Sequence, residues 1–413
     1  MPQAHIIGGG LAGLAAALDL QDAGWQVSLY EAGPALGGRC RSYFDRELGC
    51  RIDNGNHLLL SGNRAAMGFL ARIGSRDTLG GPAEPLFPFV DLTTGERWTV
   101  RPNRGRLPWW VFVRNRRVPG ARPGEFLSLL SLSRAGAEAT VADTLRPGAL
   151  YRRLLEPLAI AALNTSPETG SARLLDAVVR ETLAQGGEAC VPVFPREGLS
   201  ESFIDPAAAY LSARGAEIRT GSRVAGLTIE GGRVAELALP EGKLPLGPED
   251  AVVLAVPPPV AATLLPGLTV PDQFEAIANL HYRFEAEPGP AGFIGLVGGT
   301  AEWVFVKPGI VSITISAANR LADHAPEALA ETVWREVQAA LGITAPLPAW
   351  RLVREKRATF AATPAQDARR PGPRAAGLAN LALAGDWTAT GLPATIEGAI
   401  RSGCTAARAL RAA

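Results

Sequence analysis

The residues best suited to chemistry in this chain begin within its first forty positions. Gly8, Gly10 and Gly13 follow the apolar run His5-Ile6-Ile7 at the spacing G-x-G-x-x-G, and Glu31 lies 18 residues past the last of them. In that pattern Gly8 permits a tight turn, Gly10 lets a pyrophosphate approach the backbone, and Gly13 lets a helix pack close to a strand. The N–H groups of a helix start, at Leu11 and Ala12, then face the phosphates. Glu31, with Ala32 beside it, can accept both hydroxyls of an adenosine ribose. This chemistry needs the order strand, turn, helix, strand, acid. Leu14 to Ala23 supplies a small-residue helix stopped by Gly24, and Gln26 to Tyr30 supplies the second strand. Dinucleotide binding is therefore expected, with a plain βαβ unit as the alternative.

Two further stretches extend the pattern. Leu36-Gly37-Gly38-Arg39 can lay a guanidinium and backbone N–H groups over a pyrophosphate. In Asp53-Asn54-Gly55-Asn56-His57, Gly55 would let the backbone approach a flat ring, although an ordinary turn reads the same way. At 413 residues the chain is long enough for one to three domains. Its formal net charge of +1 gives no general pull toward nucleic acid. Cys40, Cys50, Cys190 and Cys404 are scattered without a C-x-x-C, so no disulfide framework or zinc site is expected, and a reducing cytosol fits. No basic leader precedes the first strand. The apolar run Ala251 to Leu268 is broken by Pro257-Pro258-Pro259 and Pro266 and is not read as a membrane span.

The elements that must position these residues are legible in part. Ser200 to Arg214 reads as a helix. Glu217 to Arg219, Leu227 to Ile229 and Val234 to Leu239 read as a small hairpin, and Ala251 to Val256 as a buried parallel strand. Trp303 to Val306 and Ile310 to Ser316 should pair as a hairpin. Pro326 to Leu341 should be a helix ended by Gly342, Trp350 to Arg357 a strand, and Arg369 to Arg374 a solvated loop. Leu107-Pro108-Trp109-Trp110-Val111-Phe112-Val113, followed by Arg114, Arg116, Arg117 and Arg122 and an amphipathic helix from Phe126 to Leu132, fits two descriptions. It is either a membrane-interface segment anchored by Trp109, Trp110 and Phe112 or a hairpin and core helix beside a basic loop.

Taken in order, Gly8 to Gly13, Glu31, Gly37-Gly38-Arg39 and Asp53-x-Gly55-x-His57 resemble the flavin amine oxidase and carotenoid desaturase superfamily. So do Leu383-Ala384-Gly385-Asp386-Trp387-Thr388 and Gly391 to Gly403 at the other end. The resemblance implies an α/β fold: a Rossmann-type FAD-binding domain with an interleaved α+β substrate domain. It divides the chain into 1–56, 196–264 and 371–413 for FAD, and 57–195 with 265–370 for substrate. It implies non-covalent FAD, with Gly385 and Asp386 at the ribityl–phosphate region, the Thr395 and Ile396 backbone at the pyrimidine edge, and Val224 at the adenine. The helix dipole at Ile396 would favour the negative charge of a reduced flavin there. No second G-x-G-x-x-G follows a strand, so electrons are expected from an external donor rather than a built-in NAD(P)H domain.

Within the superfamily the chain resembles the hydroxysqualene dehydroxylases of the bacterial hopanoid pathway. The similarity rests on Asp53 to Gly62, Glu156-Pro157-Leu158 through Leu163-Asn164-Thr165, and Gly385 to Thr388 with Gly391-Leu392-Pro393. Asn63 departs from the aromatic expected there. The resemblance implies reductive loss of the hydroxyl of hydroxysqualene to give squalene, by hydride transfer from flavin N5 to an allylic cation. The catalytic acid is unassigned, with His57 a weak candidate. A polyprenyl desaturase and a non-catalytic prenyl carrier stay open as alternatives. A lipid substrate further implies a cytoplasmic protein that can be peripheral at the inner face of the membrane.

Overall fold

The computed structural model describes residues 1–412. Five strands form a parallel sheet in the order Glu217–Thr220, Gln26–Glu31, Gln3–Ile7, Ala251–Leu254, Leu381–Leu383. The central strands are short apolar runs because helices cover both faces of such a sheet. Ala4, Ile6, Leu29, Val252, Val253 and Leu254 are fully buried. The first helix, Leu11–Asp22, starts three residues earlier than its apolar run indicates, directly at the glycine turn. It packs on the last helix, Ile396–Arg411, closely enough that a side chain at Gly403 would collide with the Ala12 carbonyl. The two ends of the chain are thereby joined in one core.

A seven-stranded sheet stands apart from the first. Its order is Trp350–Phe360, Phe274–Tyr282, Ile310–Ile315, Trp303–Lys307, Phe293–Val297, Phe87–Asp91, Arg97–Val100. Only the pairing of Phe293–Val297 with Phe87–Asp91 is parallel. Strand alternation sorts the residues onto two faces. Leu280, Tyr282, Val304, Val306, Val311, Ile313 and Ile315 share a core with Leu329, Val333, Trp334 and Val337 of helix Pro326–Leu341. Each of those four helix residues contributes about 1.5–3 kcal/mol by burial. The opposite face carries Asn279, His281, Ser312, Thr314 and Lys307 toward one side, and Trp303, Phe305, Phe293 and Phe89 toward the other.

Several local expectations change. Glu217–Thr220 is the edge strand of the parallel sheet, and the separate antiparallel unit is Gly226–Glu230, Arg233–Leu239 and Gly242–Pro245. A four-residue polar pattern does not distinguish these partners. Arg370 does not lie in a solvated loop. Its buried guanidinium donates to Asp367 Oδ1, Asp386 O and Thr390 Oγ1 and sits 4.8 Å over Phe360. The region 107–132 forms 3₁₀ turns, Trp109–Phe112, Arg114–Arg116 and Pro123–Ser128, and one α turn, Leu129–Leu132, in place of an amphipathic core helix. Helix Arg64–Arg72, within the stretch assigned to substrate, packs through Ala66, Phe69 and Leu70 into the core of the parallel sheet. Among the described residues no helix is long and apolar enough to cross a membrane.

Candidate cofactor and active site

The C-terminal ends of the parallel strands present the residues picked out by spacing. Strands after Gln3–Ile7 are laid first on one side of it and later on the other, and a crevice opens where the order switches. Gly8 has φ +109°, and a side chain there would strike the Ala255 carbonyl. A side chain on Gly13 would strike Gly8 O, whereas one on Gly10 would enter open space. The turn is thus packed beneath and open above, as a pyrophosphate requires. Helix Leu11–Asp22 has no side-chain cap, so its first N–H groups, including those of Leu11, Ala12 and Gly13, stay available to an anion.

Glu31 ends the second strand with its carboxylate already oriented. Oε2 accepts from Gly9 N at 2.8 Å and Oε1 from Gly33 N at 2.7 Å. Each oxygen keeps lone-pair capacity for a hydroxyl. Beyond Ala32, the backbone N–H of Ser222 donates to Glu31 O, which brings the buried Val224 beside this strand end. Gly37 N donates to Gly9 O, and Gly38 takes φ +57° close to the Gly10 backbone. Arg39 then reaches across the chain: its Nη2 meets both oxygens of the buried Asp386 at 2.7 and 2.8 Å. The arginine expected over the pyrophosphate is therefore paired with the carboxylate expected at the ribityl chain.

The C-terminal motif is held equally firmly. Gly385 N donates to Ser402 Oγ at 2.9 Å, and Trp387 Nε1 donates to Val256 O at 2.9 Å. Trp387 is buried and forms no cage. Thr395 caps helix Ile396–Arg411 by accepting from Gly398 N at 3.0 Å, so the N–H groups nearer the helix start, at Ile396 among them, are not used by the cap. Glu397 points elsewhere and caps helix Arg64–Arg72, accepting from Ala65 N and Ala66 N.

Asn54 is buried and donates to Arg39 O and Glu355 Oε2. Gly55 is close to the Asn279 side chain, where a Cβ would come within 3.1 Å of Nδ2. Asn279 belongs to a buried network: it donates to Asn54 O and accepts from Thr314 Oγ1, which accepts from Asn56 Nδ2. Asp53 accepts from Ser42 Oγ, Leu199 N and Lys307 Nζ at 2.7, 2.8 and 2.8 Å. Burial alone would raise its pKa, but Lys307, Ser42 and Leu199 hold it below the usual carboxylate value. His57 goes the other way. Burial pushes it down to about 4, with Arg39 and Lys307 adding to the effect against Asp53. At neutral pH it is an uncharged imidazole, poorly suited to protonating a hydroxyl as a cation.

Asn279, Thr314 and Lys307 were missed by motif reading. Polar Asn279 and His281 at spacing two in the apolar strand Phe274–Tyr282 are the signal that marks a special face. Nothing local marks Lys307, whose partner lies 254 positions away. Asn164 is a buried C-cap in the left-handed region, φ 49°, accepting from Ala317 N and donating to Thr359 Oγ1. Glu156 opens its helix, Glu156–Leu163, beside a cavity of about 480 Å³. The tryptophan pair splits. Trp110 is buried against Phe126 with ring centroids 5.1 Å apart, while Trp109 and Phe112 are exposed.

Comparison with known proteins agrees with this geometry. A family model described as flavin containing amine oxidoreductase matches residues 11–284 and 307–411. The chain is 50% identical to a hydroxysqualene dehydroxylase of Sinorhizobium fredii, over 98% of this chain and 97% of that one. It is 50% identical to another of that name from Rhodopseudomonas palustris, over 99% and 98%. Among solved structures, cyclohexylamine oxidase from Brevibacterium oxydans superposes with a TM-score of 0.70 at 16% identity, covering 99% and 98%, which shows the shared fold. The chain is an FAD-dependent oxidoreductase that belongs to the flavin-containing amine oxidoreductase family and, within it, to the hydroxysqualene dehydroxylases.

Proposed function

We propose that this protein removes the hydroxyl of hydroxysqualene reductively, giving squalene and water. The observation that carries the reading is half-identity, over nearly the whole of both chains, to proteins bearing that name. In this reading 1–56, 196–264 and 371–413, together with helix Arg64–Arg72, hold FAD, and the remainder receives the substrate. Glu31 takes the ribose hydroxyls, the Val224 backbone takes the adenine, and Gly10 to Gly13 with Gly38 face the pyrophosphate. Arg39 fixes Asp386 toward the ribityl chain, while Asn54, Gly55 and the Thr395–Ile396 backbone border the ring. Bound and reduced, FAD supplies a hydride from N5.

The chain must do the rest. The alcohol needs one proton to leave as water, and the carbon needs an apolar, water-poor setting in which it can carry positive charge. Phe293, Phe305, Trp303 and Phe194 form an aromatic cluster on the face that also bears Asn279 and Thr314. Aromatic faces there would favour the cation. His57 enters only as a neutral donor. Electrons come from an external donor, and the protein works as a peripheral visitor to the inner face of the cytoplasmic membrane. Single turnover in deuterated water, where the exchangeable hydrogen at N5 of the reduced flavin is deuterium, tests this. Squalene should carry deuterium at the carbon that bore the hydroxyl; product with no deuterium there would overturn direct hydride transfer.

A further inference from the structure

Exposed apolar surface on this molecule is concentrated in one place. Among the described residues ten large hydrophobics are exposed, and five of them, Leu107, Trp109, Phe112, Leu127 and Leu130, lie within 24 residues of one another, each between 48% and 78% exposed. The other five, Met1, Phe44, Ile229, Val260 and Leu347, are spread over the rest of the chain, as on any soluble surface. The two turns that carry the cluster are packed together, because Trp110 of one meets Phe126 of the other edge to face. Trp110 is thus a buttress, and Trp109 and Phe112 are what it presents. Behind it the buried cluster is continuous and includes Trp98 and Phe89, which stack at 5.6 Å and lead to Trp303 on the substrate sheet.

The charge carried by this segment is one-sided. Residues 101–134 hold eight arginines, at 101, 104, 106, 114, 116, 117, 122 and 134, against one acid, Glu125, a net +7 in a chain whose total is +1. Glu125 is turned inward, accepting from Arg122 N at 2.8 Å and Leu150 N at 3.1 Å. Arg104, Arg106, Arg114, Arg122 and Arg134 are exposed. Arg116 lies 4.9 Å over the Trp109 ring, an arrangement that holds a cation level with an interfacial indole. Exposed apolar residues interspersed along the segment with exposed arginines match a bilayer whose headgroups are negative, in both layers at once.

We infer that residues 107–130 form a docking face for an anionic bilayer, with Leu107, Trp109, Phe112, Leu127 and Leu130 entering the interface and the arginines bound to lipid phosphates. The inference rests on the lipid-substrate reading for its purpose, but its test does not use the substrate. Flavin-loaded protein is floated with vesicles of phosphatidylcholine alone or with about one third phosphatidylglycerol. Binding should require the anionic lipid and fall sharply between low and high salt, as the Debye length shrinks from about 10 Å near 0.1 M to about 3 Å at 1 M. Arg114→Gln, Arg122→Gln and Arg134→Gln together should weaken binding on the order of 100-fold, about fivefold for each arginine, while the matching lysine variant retains most of it. Leu107→Ser with Phe112→Ser, Leu127→Ser and Leu130→Ser should abolish binding with flavin content and melting temperature kept. No binding to anionic vesicles, or binding that both variants leave unchanged, would overturn the proposal. So would vesicle-independent slowing of reduction by an acidic protein donor in the arginine variant, which would assign the face to that partner.

Discussion

The C-terminal ends of the parallel strands and the face of the seven-stranded sheet that carries Asn279, Thr314 and Lys307 are built by opposite means. At the first, in the proposed reading, the backbone does the recognition. Glycine turns, the uncapped start of helix Leu11–Asp22 and one oriented carboxylate come from short runs, and a side chain is mainly an obstruction, as at Gly8 and Gly13. At the second, side chains from strands distant in the sequence meet: Asn279 with Thr314 and Asn56, and Lys307 with Asp53. The contrast has a physical root. A phosphate is read by N–H groups that any residue supplies once the turn is set, whereas an apolar substrate is shaped by side chains that only the folded sheet assembles.

The largest effect should come from the second region. Lys307 and Asp53 are almost fully buried and 2.8 Å apart. Lys307→Met leaves the carboxylate without its cation and should destabilise the protein by about 3–5 kcal/mol, whereas Lys307→Met combined with Asp53→Asn should recover most of the loss. Denaturant unfolding of the three variants checks this. A double variant no more stable than Lys307→Met would show that the pair is not what holds the face.

A smaller effect comes from pH and again separates the regions. His281 is buried, shares a 2.8 Å hydrogen bond with Ser312, and is pushed by burial from 6.5 to about 4. The folded state therefore binds fewer protons than the unfolded one. The stabilisation is complete above pH 6.5 and is lost as pH falls toward 4, about 2 kcal/mol being gone by pH 5. Wild type should lose stability over that window, and His281→Gln should lose less. Parallel curves for the two would place the titration elsewhere, His57 being the next group to substitute.

The same division explains what the sequence could disclose. The turn at G-x-G-x-x-G and the strand ends at Glu31 and before Gly385-Asp386 are read directly because their spacing is their structure. Helix Pro326–Leu341 was equally plain, with proline opening it and Gly342 in the left-handed region closing it. The local pattern groups Glu217–Thr220 with the antiparallel unit and not with Gln26–Glu31, since which edge a polar strand joins depends on contacts far along the chain. The pattern places Arg370 in solvent because arginine in a Pro-Gly stretch usually is exposed. Its burial depends on Asp367, Thr390 and the Asp386 carbonyl converging on it. Trp109 and Trp110 are neighbours of one type with opposite fates, and periodicity fails in 3₁₀ turns as short as theirs.

The smallest expected effect falls on the backbone-built region and sharpens the comparison most. Glu31 ends its strand half-buried, and its carboxylate is held by Gly9 N and Gly33 N. Glu31→Ala should weaken FAD by about 1–3 kcal/mol, the loss of charge-assisted hydrogen bonds to the ribose. Glu31→Gln should fall between the two, since its amide oxygen keeps one acceptor but its NH₂ faces a donor. Because the loss is confined to binding, apoprotein melting should change much less than FAD affinity, the reverse of the Lys307 variants. Flavin titration followed by fluorescence, beside thermal unfolding of the apoprotein, measures both quantities on one sample. Unchanged affinity in Glu31→Ala would take the ribose contact away from this residue. An equal loss in affinity and apoprotein stability would show that the carboxylate chiefly braces the glycine turn, and that the two regions are less different than their construction implies.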